Sequence, residues 1–195
     1  MTPGRRRWAV AVVAVLPLFW SGCTTVRVTA TERSSIEQRL LTRSLERVAE
    51  RLDTQALTGR TVKVELYTLT KDQIFAREFL RARLERRGIR MTPGAEADVT
   101  LQVFAAALAV DTADTLIGVP AMQAPILAVP IPEIALFKWE RSRGHAQMQT
   151  YVYDANGRQI DQLPEVLGQA KYNRFTILVF ITFTSTDLDH PPSEP

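Results

Sequence analysis

The chain has 195 residues, with 24 Lys and Arg against 21 Asp and Glu, two histidines and a single cysteine. One cysteine excludes a disulfide framework within the chain, and no Cys/His pair stands at zinc-site spacing. The formal charge of +3 comes from Arg5, Arg6 and Arg7; without them 21 basic residues face 21 acidic ones, so no cationic surplus remains to attract nucleic acid.

Residues 1–22 read as a signal peptide. Arg5, Arg6 and Arg7 form a positive start, Trp8 to Trp20 an apolar run, and Ser21-Gly22 the small residues of a cleavage site before Cys23. The run covers thirteen residues and contains Pro17, well short of the roughly 20 residues that a spanning helix needs. The cysteine directly after the small pair resembles the lipobox of bacterial lipoproteins. That resemblance implies that Cys23 becomes the first mature residue and carries a diacylglycerol thioether and a further acyl chain such as palmitate. Trp20 stands where the lipobox normally has an aliphatic residue, and a plain signal peptide with an incidental cysteine is the alternative. Residues 23–33 follow as a Thr-rich tether.

Residues 34–186 read as one α/β domain. Ser34 and Glu37 form a capping box, and Ile36, Leu40, Leu41, Leu45, Val48 and Leu52 follow at helical spacing. Thr61 to Thr70 alternates as a strand, with Val62, Val64 and Leu66 on one side. A second helix is expected from about Asp72 to Arg87, ended by Gly88. Its buried face would be Ile74, Phe75, Phe79, Leu80 and Leu84, opposite an arginine-rich face that reads as a solvated surface. Ala97 to Thr112 reads as a central strand covered on both sides, because Phe104, Leu108 and Val110 make its second face apolar too. Ile134 to Trp139 and His145 to Tyr153 are expected as separate strands. Asp154-Ala155-Asn156-Gly157 supplies turn residues, and Phe175 to Thr184 is expected as a single buried strand. Residues 187–195 read as a disordered tail.

Leu116 to Pro132 does not read as ordinary core. It carries no charge and is interrupted by Pro120, Pro125, Pro130 and Pro132, which excludes a regular helix or a central strand. Two readings are open: a lid over the core, or an exposed interaction element anchored by Ile117, Met122, Ile126, Leu127 and Ile131.

No residue set names a reaction. His145 lies in an expected strand and His190 in the expected tail, so neither suggests a nucleophile–base pair. Asp111 and Asp114 form a possible polar cluster for a hard cation, but the glycine and closing glutamate of an EF-hand are missing; a strand-end Asx turn accounts for them equally. No metal site or cofactor is expected. The reading is a binding protein rather than an enzyme.

With these elements assembled, the chain resembles an uncharacterised family of small Gram-negative bacterial lipoproteins. The resemblance is carried by Glu37-Gln38-Arg39-Leu40-Leu41, Leu57-Thr58-Gly59-Arg60, Gly118-Val119-Pro120 and Pro132-Glu133-Ile134, and it implies no known activity. The order of elements is also similar to the domain shared by the curli-secretion lipoprotein, the lipoprotein activators of penicillin-binding proteins and the TolB N-terminal domain. This implies one mixed sheet with two helices packed on it: a helix–strand–helix–strand opening, then antiparallel strands. The expected function is a lipid-anchored binding or assembly module of the cell envelope; by resemblance to the enterobacterial sorting rule, Thr24 rather than Asp after the cysteine implies the outer membrane, facing the periplasm. Its expected partners are the membrane, through the anchor, and an envelope protein or a second copy. The alternatives are a self-associating lipoprotein that touches or crosses the membrane through its Pro-rich segment, and a periplasmic hydrolase using carboxylates.

Overall fold

The computed structural model describes residues 33–94, 96–123 and 130–188. Cys23, the signal-peptide segment, Ile126, Leu127 and His190 lie outside the described residues.

Ser34 starts helix α1 (Ser35–Arg51) through a complete capping box: its Oγ accepts from the Glu37 N–H, and the Glu37 carboxylate accepts from the Ser34 N–H at 2.9 Å. A short 3-10 turn (Gln55–Leu57) leads to β1 (Thr61–Thr68), then helix α2 (Gln73–Arg86) and β2 (Arg90–Met91). Two 21-residue strands, β3 (Val99–Val119) and β6 (Ile134–Asp154), form the spine of the molecule. Between them β4 (Met122–Gln123) pairs with β5 (Pro130–Ile131). The chain closes with β7 (Gln159–Ile177) and β8 (Ile181–Thr186). The sheet order is β2-β1-β3-β6-β7-β8, with β1 parallel to β2 and β3 and the remaining neighbours antiparallel. The fold is therefore α/β in the α+β sense: one mixed sheet with two helices packed on it.

Both helices cover the same face. Leu45 and Val48 of α1, Leu52 at its C-cap, and Ala76, Leu80 and Leu84 of α2 meet Val62, Leu66, Leu101, Val103, Leu108 and Met148 in one core. Helix α1 approaches the sheet over two glycines. A Cβ on Gly168 would lie 2.0 Å from the Ser44 carbonyl oxygen, and one on Gly144 would lie 2.6 Å from that of Leu40. Ser44 is itself buried, and its hydroxyl donates to the Leu40 carbonyl at 2.8 Å. The α1 arginines finish the contact: Arg51 donates to the Leu167 carbonyl at 2.7 Å and Arg47 to that of Gln169. These bonds cover carbonyls on the part of β7 that β8 does not reach.

Several expectations need correction. Strand β3 is covered on one side only, because a bulge between Ala105 and Ala107 returns Leu108 and Val110 to the helix-covered face, leaving Phe104 exposed. On α2 the buried position is Ala76, while Ile74 and Phe75 are exposed. The two strands expected at 134–139 and 145–153 are one continuous strand. The strand expected over 175–184 is two, broken at Leu178–Phe180, and its side chains are exposed or half-buried. Asp187 and Leu188, expected to open the disordered tail, belong to the fold: Asp187 accepts from the Lys171 N–H at 2.8 Å and pairs with Arg47, and Leu188 is buried; residues 189–195 lie outside the described residues.

The arginine-rich face of α2 is largely engaged within the fold. Arg81 reaches Glu85 at 3.2 Å, Arg83 pairs with Glu46, and Arg77 with Glu78 at 3.0 Å. Arg87 caps α1, donating to the carbonyls of Ala49 and Leu52 at 2.6 and 2.8 Å. Arg87→Met keeps the stem but leaves those helix-end carbonyls to water. It is expected to lower stability by about 1 kcal/mol, read as a lower urea midpoint at unchanged slope.

Candidate functional site

Among the described residues the face of the sheet opposite the helices is open along its length, and its chemistry changes from one end to the other. Near β1 it is polar and aromatic. Lys63 Nζ lies 2.8 Å from Glu65 Oε1, the Tyr67 hydroxyl donates to Glu65 Oε2 at 3.0 Å, and Tyr67 stacks on Phe104 with centroids 5.1 Å apart. Lys63 and Glu65 border a shallow groove that continues past Gln102 to Tyr153. The Lys63 ammonium holds the Glu65 carboxyl below the usual carboxylate range, with a smaller contribution from Tyr67 against the opposing effect of burial. A depressed carboxylate stabilises the fold above its ordinary pKa, and that contribution disappears as pH falls through the folded value. The thermal midpoint is therefore expected to drop on acidification from about pH 5 to pH 3, and Glu65→Gln is expected to make the drop shallower.

At the other end the same face becomes apolar. In register across β3, β6, β7 and β8 lie Ile117, Phe137, Ile177 and Ile181, then Thr115, Trp139, Phe175 and Phe183. Trp139 stacks on Phe175 at 5.6 Å and Phe175 on Phe183 at 4.9 Å. The next row holds Arg141, whose guanidinium sits 4.3 Å from the Trp139 ring centroid. Beyond the aromatic rows the chain turns through Leu178, Val179 and Phe180, and Phe180 is 80% exposed. Leu178 and Val179 have φ of 50° and 72°, a region that disfavours side chains and above all a β-branched one. Their N–H groups donate to the carbonyls of Leu136 and Ala135 at 3.0 and 2.8 Å, which holds the turn against β6.

The predicted interaction residues that are described, Ile117, Met122 and Ile131, fall at this end. Ile117 is 58% and Met122 46% exposed, so neither is part of the core. Met122 pairs in register with half-buried Ile131. The segment is also more regular than its prolines suggest, since Leu116 to Val119 complete β3. Gly118 makes this possible with φ of 152°; a Cβ there would lie 2.1 Å from the Ile134 carbonyl oxygen. Asp111 and Asp114 are not brought together. They lie three residues apart within regularly paired strand, so their side chains point to opposite faces, and neither is at a strand end. Asp111 is exposed and lies 3.4 Å from His145 Nε2, while Asp114 is in register with Glu140. Among the described residues no three His, Cys, Asp or Glu side chains group as metal ligands.

No family model matches the chain, and no curated protein matches it significantly.

Sequence reasoning missed Leu178, Val179 and Phe180, because the turn contains no Gly, Pro, Asn or Asp. The one available signal was charge: residues 175–186 carry none, as do residues 115–132.

Proposed function

We propose that the protein is a lipid-anchored binding or assembly module of the bacterial cell envelope, attached through Cys23 at the outer membrane and facing the periplasm. The observation that supports this best is the asymmetry of the sheet. Two helices cover one face, and the other presents exposed apolar and aromatic side chains at one end, including Ile117, Phe180, Ile181 and Phe183. Such patches on a soluble domain mark surfaces that meet protein or membrane. The lipobox-like start and the resemblance to small Gram-negative lipoproteins supply the location. Metabolic labelling with radioactive palmitate, compared between the native chain and Cys23→Ser, tests the anchor; absence of label from the native chain rejects it. Crosslinking in envelope membranes followed by mass spectrometry then tests the module, with a discrete partner as the expected result.

A second reading, self-association, is favoured by the edge of β3. Among the described residues β1 stops pairing at Ala105, so β3 from Ala106 to Val119 has a strand on one side only. An unpaired edge of this length is a template for another chain. A homo-oligomer ladder in the same crosslinking experiment selects this reading.

A further inference from the structure

We propose that the charge-free end of the sheet, centred on Leu178, Val179 and Phe180, seats in the headgroup–acyl boundary of an anionic bilayer. This deepens the anchored reading and rests on it for the position of the tether.

Charge is the first argument. The uncharged segments 115–119 and 175–186 come from distant parts of the chain, yet β3, β6, β7 and β8 align them. Both are bounded by one row, in which Asp114, Glu140 and Arg174 stand in register with Thr184. Past that row the one described cation is Lys138, neutralised by Glu133 at 3.0 Å and Glu140 at 3.5 Å. On the open face, directly behind the aromatic row, come Arg141, Arg143 and Lys171, none of which forms an ion pair among the described residues. Asp111 neighbours Arg143 in register. The sequence of apolar tip, aromatic row and cations matches acyl boundary, headgroup region and lipid phosphates.

Dimensions decide between dipping and spanning. From the turn to the Phe175 row is three residues, about 10 Å at strand rise. That equals the roughly 5–10 Å reached by interfacial elements and is far below the ~30 Å hydrocarbon core.

The tether supplies the third argument. Helix α1 has Val48 against Gly168, while Leu40 and Ile36 pack with Tyr172 farther along β7. Its N-terminus therefore points toward the charge-free end. Cys23 lies ten positions before Arg33, at most about 35 Å of extended chain, so an acyl anchor on Cys23 would hold this end close to the lipid. The turn itself agrees: Asn-Gly would fit its backbone better, yet Leu178-Val179 stands there, with its apolar surface in solvent.

The test uses the full chain carrying Phe180→Cys, labelled with an environment-sensitive fluorophore and reconstituted in phosphatidylcholine vesicles with and without phosphatidylglycerol. A matched chain carries the label at Ala155→Cys, in the exposed turn at the opposite end. Quenching by nitroxide-bearing lipid is expected to be several-fold stronger for the Phe180 label, to increase with phosphatidylglycerol, and to lose that increase with Arg141→Gln and Arg143→Gln together. Equal quenching of the two labels overturns the proposal. So does a Phe180 label shielded from aqueous iodide but not quenched by lipid, which points to a second copy. Mass spectrometry of the same samples reads Cys23: an unmodified Cys23 with a quenched Phe180 label rejects the anchor and keeps the bilayer contact, and an acylated Cys23 with an unquenched label does the reverse.

Discussion

Gly168→Ala is expected to lower the unfolding free energy by about 3 kcal/mol, the upper end of ordinary overpacking costs. The new methyl group would sit 2.0 Å from the Ser44 carbonyl oxygen and would also press on Val48, 2.9 Å away. Backbone cannot move aside as a flexible side chain can, so α1 must lift from β7. Lifting it also draws Arg47 and Arg51 away from the Gln169 and Leu167 carbonyls. Gly144→Ala meets the same helix one strand over, 2.6 Å from the Leu40 carbonyl oxygen. The two substitutions act on one helix–sheet contact, so their effects should not add: once one has lifted α1, the second finds room. Urea unfolding of both single variants and the double variant checks this. A loss below about 1 kcal/mol for Gly168→Ala would show that α1 does not approach β7 so closely.

The second large effect is expected with the opposite sign. Replacing Leu178 with Asn and Val179 with Gly gives a turn whose residues accept positive φ, in place of two that are strained there. Relief of strain outweighs the extra chain entropy of the new glycine, for a net gain of about 2 kcal/mol in unfolding free energy. Because the Leu178 and Val179 N–H groups bond to β6, and Asn and Gly retain theirs, the pairing is preserved. The same variant is expected to bind phosphatidylglycerol vesicles several-fold more weakly, having lost apolar surface at the tip. Greater stability with weaker lipid binding is a combination that a structural role alone does not produce. A destabilised variant would show that the apolar turn side chains support the fold.

The long-range organisation was legible in some elements and hidden in others. Helix α1 was plain because its capping box and its 3.6-residue stripe agree, and β1 because Val62, Val64 and Leu66 alternate cleanly. β7 was hidden for a definite reason. Its inward positions include Gly168 and Ala170, which add no hydrophobic signal, and the shift in register near Pro164 interrupts the two-residue period between Leu163 and Val166. The same kind of interruption at Ala106 in β3 made one apolar face look like two. For the candidate site, Ile117, Met122 and Ile131 were legible as an apolar segment without charge. The Leu178 turn was not, because Leu and Val carry no turn signal.

By itself the sequence determined the lipobox-like start, the near-zero charge beyond it, the absence of an internal disulfide, the helix caps and the strand periods. All of these are local properties, written in neighbouring residues. Tertiary structure decided which face of the sheet stayed open. It also decided that two uncharged stretches some sixty residues apart in the chain share one end, and that Asp111 and Asp114 do not meet. Those outcomes depend on register, on the bulges that shift it and on the close seating of α1 over Gly144 and Gly168. Each is set by contacts between residues distant in sequence, whose pairing no local period records.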